Sequence, residues 1–276
     1  MSRLLKWDGH THTQFCYHGS PGLLEDYIEK AIELGFERYT VTEHSPVPDR
    51  WVEDNSLLAE LAMPYSELAS YFAYVDQCKD KFNGRIEIVS GLELDYLHGA
   101  TDFTDSIISE WKHKIDDVVY SVHYLPGKDG MYCVDYTSEY FIKHLLSYYG
   151  TIDKVIDAYY DHIEHAIKHA GTFSMRKRIG HINLIRKFEH SLPSFNEEQI
   201  NKRLLQLIPL LKKHQVGIDV NIAGLRVATC GQAYVPPWFI AACQREDIMC
   251  VYGSDAHRPE QVGLYWDWFS QSSALK

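Results

Sequence analysis

No apolar run in these 276 residues approaches the length of a membrane-spanning helix, so the sequence gives no transmembrane segment to expect. No basic block interrupts a formal net charge of −11. General attraction to nucleic acid or to anionic lipid is thereby excluded, and any phosphate-bearing partner has to be gripped locally. The six cysteines, at 16, 78, 133, 230, 243 and 250, contain no C-x-x-C pair, and they read as reduced thiols rather than a disulfide framework. Only seven residues precede Asp8, too few for a secretory signal, which makes a cytoplasmic location the expectation. There is no Ser/Gly linker, low-complexity tract or internal repeat, and 45% hydrophobic content is enough for one sizeable core. A single domain over residues 1–276 is the simplest reading.

What is present is an alternation of short β-rich runs with amphipathic stretches, the usual mark of parallel strands joined by helical crossovers. Seven strands are expected, in "KWDGHTH", "RYTVTEH", "IEIVSGLELDY", "DVVYSVHY", "KRIGHINL", "VGIDVNIAG" and "IMCVYGSDAH". Between the first two, "GLLEDYIEKAIELGF" sets Leu24, Tyr27, Ile28, Ala31 and Leu34 on one helical stripe, with Ser20-Pro21 as a start signal and Gly35 as a stop. The stretch "NEEQINKRLLQLIPLLKKHQ" is a second helix, acidic early and basic late, which Pro209 should kink. Residues 137–171 are the longest span without a strand and read as two or three helices broken at Gly150.

On this frame His10 and His12 end the first strand and His44 the second. Glu93 and Asp95 end the third, His123 the fourth and His181 the fifth; Arg226 follows the sixth, and Asp255 and His257 end the seventh. In a closed β/α barrel these carboxyl ends converge on one face, where such barrels carry their chemistry. Side chains at i and i+2 of a strand point the same way, so His10 and His12 can offer two imidazoles to one cation. Singly, His44 is as well explained as a hydrogen-bonded core histidine, Glu93 as a rim charge and Asp255 as a helix cap. Together, nitrogen and oxygen donors at nearly every strand end point to bound divalent ions. His162, His165 and His169 also share a helix face, but Lys, Glu and Asp surround them and a solvated surface is the expectation. His98, His113, His144, His190 and His214 receive the same surface reading.

The ordered set "DGHTH", "TEH", "GLELD", "SVH", "GH" and "SDAH" resembles the polymerase and histidinol phosphatase (PHP) superfamily over nearly the whole chain, and within it the monofunctional histidinol-phosphate phosphatase branch. The resemblance implies an α/β fold, a single-domain distorted (β/α)7 barrel with the active site at the carboxyl ends of the strands, and a three-metal cluster. It places the first metal on His10, His12, Glu93 and Asp255. Glu93 would bridge to a second metal completed by His123 and His181, and His18, His44 and His257 would hold a third. Asp8 is read as a group that orients an imidazole rather than as a ligand.

The implied reaction is hydrolysis of L-histidinol phosphate, a step of histidine biosynthesis, by a metal-activated hydroxide, with Asp255 or His257 passing a proton to the departing alkoxide. Arg226 is the first choice for gripping the phosphate, Arg186 the second and Arg178 a reserve, with His44 also facing it. Zinc, iron and manganese all suit such ligands. The rival readings are a PHP enzyme acting on another phosphomonoester, a metal-dependent amidohydrolase, and a metal-free PHP module that binds a partner.

Overall fold

The computed structural model describes residues 4–19, 22–52 and 54–273. Its nine strands among these residues are β1 (Trp7–Asp8), β2 (Arg38–His44), β3 (Glu87–Asp95), β4 (Asp117–Ser121), β5 (Tyr124–Pro126), β6 (Met131–Cys133), β7 (Arg176–Ile179), β8 (Gly217–Asn221) and β9 (Cys250–Gly253). Seven of them form one parallel sheet in the order β1-β2-β3-β4-β7-β8-β9. These are the seven strands expected from the sequence. β5 and β6 pair separately as an antiparallel hairpin that the sequence reading did not foresee.

The sheet curls until its edges meet. Gly9 N–H donates to Tyr252 O at 2.8 Å, Asp255 N–H to His10 O at 2.8 Å and His12 N–H to Ala256 O at 3.0 Å. The approach leaves no room for a side chain at Gly9, where a Cβ would lie 2.1 Å from Arg178 Nη1 and 2.5 Å from Val251 Cγ1. Strand alternation then sorts the residues of β3: Leu92 and Leu94 join the apolar core, while Glu93 and Asp95 face the other way, into the barrel. Register puts His44 directly beside Glu93, and Asp95 beside Ser121.

The first helix spans Leu24–Glu33 and buries Leu24, Tyr27, Ile28 and Ala31. Leu34 leaves the expected stripe and is exposed, because the chain already turns there into Gly35, whose φ is +75°. The start signal at Ser20-Pro21 lies outside the described residues. Gly150, at φ 82°, separates a helical stretch ending at Tyr149 from the helix Ile152–Ala170. Pro209 sits within the helix Glu197–His214 without ending it. No helix among the described residues is long and apolar enough to cross a membrane.

Candidate metal centre

His10 and His12 lie just past β1 in the segment that closes the barrel, and Glu93 sits on β3 between them and β4. His10 Nε2 lies 3.3 Å from Glu93 Oε2 and 3.8 Å from Asp255 Oδ1, while His12 Nε2 lies 3.5 Å and 3.0 Å from the same two oxygens. The other oxygen of Glu93 faces a second group: Oε1 is 3.0 Å from His181 Nε2 and 3.6 Å from His123 Nε2, and these two nitrogens are 3.1 Å apart. A tetrahedron with bonds of about 2.1 Å has edges of about 3.4 Å, so both groups have the spacing of ligands around one ion. A third group brings His18 Nε2 and His257 Nε2 to 3.0 Å, with the His44 ring 5.0 Å from His18 and 5.8 Å from His257. His44 also touches the first group's edge, its Nδ1 being 3.1 Å from Glu93 Oε2.

Five of these imidazoles are aimed by an oxygen on the opposite ring nitrogen. Nδ1 of His10 meets Asp219 Oδ2 at 2.8 Å, that of His12 meets Glu43 Oε1 at 3.1 Å and that of His123 meets Asp95 Oδ1 at 2.7 Å. Nδ1 of His18 meets Glu60 O at 2.8 Å and that of His257 meets Asp255 O at 3.0 Å. An acceptor at Nδ1 places the proton there and turns the Nε2 lone pair toward the cluster, the arrangement that metal-ligating histidines need.

Local backbone geometry serves the same end. His181 and Asp255 adopt φ of 20° and 52°, uncommon for residues with a side chain and typical of held functional positions. Gly180 makes room for this: a Cβ there would lie 2.0 Å from Ser121 Oγ, the hydroxyl that donates to Glu93 Oε1 at 2.6 Å.

Burial drives Glu93 and Asp255 toward neutrality, yet the imidazoles around them outweigh it and hold both carboxyls well below their usual range. The attraction is mutual. Against burial, the carboxylates raise His12 to about 9 and His123 to about 10. Burial and the neighbouring rings instead push His18 down to about 4 and His257 well below its ordinary value, leaving both with free lone pairs. A pocket that draws protons this strongly also draws divalent cations, whose binding displaces those protons. Donor type, spacing and tautomer all fit, and the cluster is a divalent-metal site.

The PHP domain family matches residues 8–223. This chain belongs to the PHP domain family. It is 33% identical over 264 residues to the histidinol-phosphatase of Bacillus subtilis, covering 96% of this chain and 98% of that protein. A solved structure from Listeria monocytogenes, described as a candidate histidinol phosphatase, superposes with a TM-score of 0.90 at 33% identity, covering 96% of this chain and 100% of the other. The histidinol phosphate phosphatase of Lactococcus lactis, solved in complex with zinc, L-histidinol and phosphate, shares the fold at a TM-score of 0.73 and 17% identity, covering 98% and 94% of the two chains.

In this PHP domain all nine residues expected as ligands come together at one barrel mouth. The arginines divide. Arg226 lines the cleft of about 250 Å³ above the cluster, its guanidinium donating to Ser254 O at 2.7 Å and to Asp255 O. Arg186 does not reach the cleft: Glu189 and Glu197 engage its guanidinium, with Nε to Glu189 Oε2 at 2.8 Å and Nη1 to Glu197 Oε2 at 3.0 Å. Arg178 is fully buried inside the barrel, paired with Asp117 at 3.1 Å. Asp8 orients backbone rather than an imidazole, accepting from Ser254 N at 3.0 Å, and burial raises its carboxyl to about 7. Asp219 takes the part expected of Asp8.

His162 corrects the surface reading of its helix. It is buried, with its ring 4.8 Å from that of His98. His98, His113, His165 and His190 are exposed as expected.

The sequence reading missed Glu43, Asp95 and Asp219 as orienting groups and Lys187 and Asp135 as cleft residues. "GIDVN" carried a usable signal for Asp219, since a charge in a buried strand needs a partner. Lys187 and Asp135 lie in irregular segments and carried none.

Proposed function

We propose that this protein is a phosphoric monoester hydrolase that converts L-histidinol phosphate to L-histidinol and phosphate, as a step of histidine biosynthesis in the cytoplasm. On this reading residues 1–276 form one catalytic unit with three divalent ions, of zinc, iron or manganese. His10, His12, Glu93 and Asp255 hold the first; Glu93, His123 and His181 the second; His18, His44 and His257 the third. The observation that carries the reading is Glu93, whose Oε2 lies 3.3 Å from His10 Nε2 while its Oε1 lies 3.0 Å from His181 Nε2, as a carboxylate shared by two ions requires. The full-length likeness to a histidinol-phosphatase supports the substrate.

Bound divalent ions supply an acidified water and neutralise the phosphoryl oxygens that would repel it. The protein's own residues do the rest. Arg226, anchored on the carbonyls of Ser254 and Asp255, still has donors for a phosphoryl oxygen, since a guanidinium carries five. Lys187 adds a second positive charge on the cleft wall. Asp255 Oδ1 and His257 Nδ1 lie 3.5 Å apart, and this pair relays to the departing alkoxide the proton that the attacking water gives up. Holding the ester between these groups replaces covalent catalysis with positioning and charge neutralisation.

The test joins elemental analysis to steady-state kinetics across a phosphomonoester panel. Near three equivalents of metal with highest kcat/KM on L-histidinol phosphate is the expected result. A preference for nucleotide or sugar phosphates would reject the substrate, and turnover in thoroughly metal-free protein would reject the site.

A further inference from the structure

The cleft above the cluster has two lobes with a common wall made of His18, His44, His123, Asp135 and Lys187. One lobe, of about 250 Å³, runs beneath Arg226. The other, also of about 250 Å³, runs past Glu60, Leu61, Tyr124, Asp135 and Tyr136. They differ in lining: Arg226 lies on the wall of the first lobe alone, and Tyr124 and Tyr136 on the wall of the second alone. On the shared wall Lys187 Nζ and Asp135 Oδ2 pair at 3.0 Å, and Cys133 Sγ donates to Asp135 Oδ1 at 3.0 Å. These two contacts use about half of the lone-pair sites of a carboxylate.

We propose that Asp135 is the specificity residue that receives the ammonium group of an aminoalkyl phosphate, with the ring of the substrate seated against Leu61, Tyr124 and Tyr136. The proposal rests on the functional reading above and extends it to the organic half of the substrate. Histidinol phosphate carries an anion and a cation only a few bonds apart, joined to a flat ring. The Lys187–Asp135 pair presents both signs of charge on the wall that the Arg226 lobe and the aromatic lobe share. Glu60 is the weaker alternative. It is exposed, whereas the Asp135 side chain is 20% exposed, and a charge contact strengthens as water is excluded from it.

The experiment compares kcat/KM for L-histidinol phosphate with that for its deamino analogue, imidazolylpropyl phosphate, in the metal-loaded wild type, Asp135→Asn and Asp135→Glu. The wild type should favour the amine-bearing ester by about tenfold or more, the worth of a hydrogen bond to a charged group. Asp135→Asn should shrink that ratio to within about twofold, and Asp135→Glu should restore most of it, which a loss of folding in the first variant would not do. An unchanged ratio in Asp135→Asn, or a wild type that does not discriminate, overturns the proposal. Wild-type protein inert toward both esters yet active on unrelated phosphomonoesters overturns instead the functional reading beneath it.

Discussion

The two ends of the barrel hold buried charge in contrasting ways. At the amino end Arg178 is fully buried against Asp117, and it donates to Gly9 O at 2.8 Å. Beside it the Trp7 ring is ringed by three guanidinium groups, those of Arg38, Arg176 and Arg178, at 5.0, 5.0 and 5.2 Å from its centroid. That end is a plug in which protein charges answer one another. At the carboxyl end nine imidazole and carboxylate side chains crowd one cleft, and the carboxylates answer themselves only by lifting His12 to about 9 and His123 to about 10. One end is electrostatically closed, and the other is completed by cations.

The comparison breaks most sharply at His123. Its replacement by alanine removes the imidazole proposed as a ligand of the second metal and frees Asp95 of its partner. Turnover should fall by more than about 10³-fold, beyond what a single electrostatic contact supplies, with metal content reduced and the fold intact. Unchanged metal content with near-normal activity would show that the carboxyl end does not work as described. The matching change at the amino end is Asp117→Asn, which strands Arg178 in the barrel. It should cost about 3 kcal/mol of stability, the price of an uncompensated buried charge, measured by denaturant unfolding with metals bound. Metal stoichiometry should stay as it was. A metal loss in that variant would mean that the two ends are coupled.

The strands were legible because a parallel sheet is buried on both faces, so its members stand out as apolar, β-branched runs. The gathering of imidazole and carboxylate donors at one mouth was legible because strand ends in such a barrel share one destination. What escaped was orientation at short range. Arg186 closes a 3-10 turn over Leu184–Arg186 and Lys187 follows it; successive side chains on such a turn diverge by about 120°. One of the pair therefore meets Glu189 and Glu197 while its neighbour reaches the cleft, and sequence position alone favoured the wrong one. The hairpin of β5 and β6 escaped because its strands are three residues each, too short for a period to appear.

Asp219→Asn sharpens the contrast at smaller amplitude. The residue is fully buried and binds His10 Nδ1 at 2.8 Å, and an amide can present its nitrogen there and misdirect the ring. Metal affinity should weaken by about 10- to 100-fold, the usual cost of losing a group that orients a ligand, with activity recovered at high metal concentration. Competition with a chromophoric chelator measures it. An affinity unchanged within error would mean that β9 and β3 aim His10 without help.

The smallest effect separates two arginines. Arg178 has no exposure and serves only the plug, whereas Arg226 lines the cleft and is tied to Ser254 O at 2.7 Å. A contact that grips phosphate in the substrate and in the transition state alike lowers KM without raising kcat. Arg226→Ala should therefore raise KM for the phosphate ester by about tenfold, the value of one charged hydrogen bond, and leave kcat within about threefold. Inorganic phosphate, as a product inhibitor, should weaken in step with KM, because it meets the same guanidinium. If kcat fell while KM and the inhibition constant held, Arg226 would be supporting Asp255 through the two carbonyls it binds rather than touching the ester, and the phosphate grip would pass to Lys187.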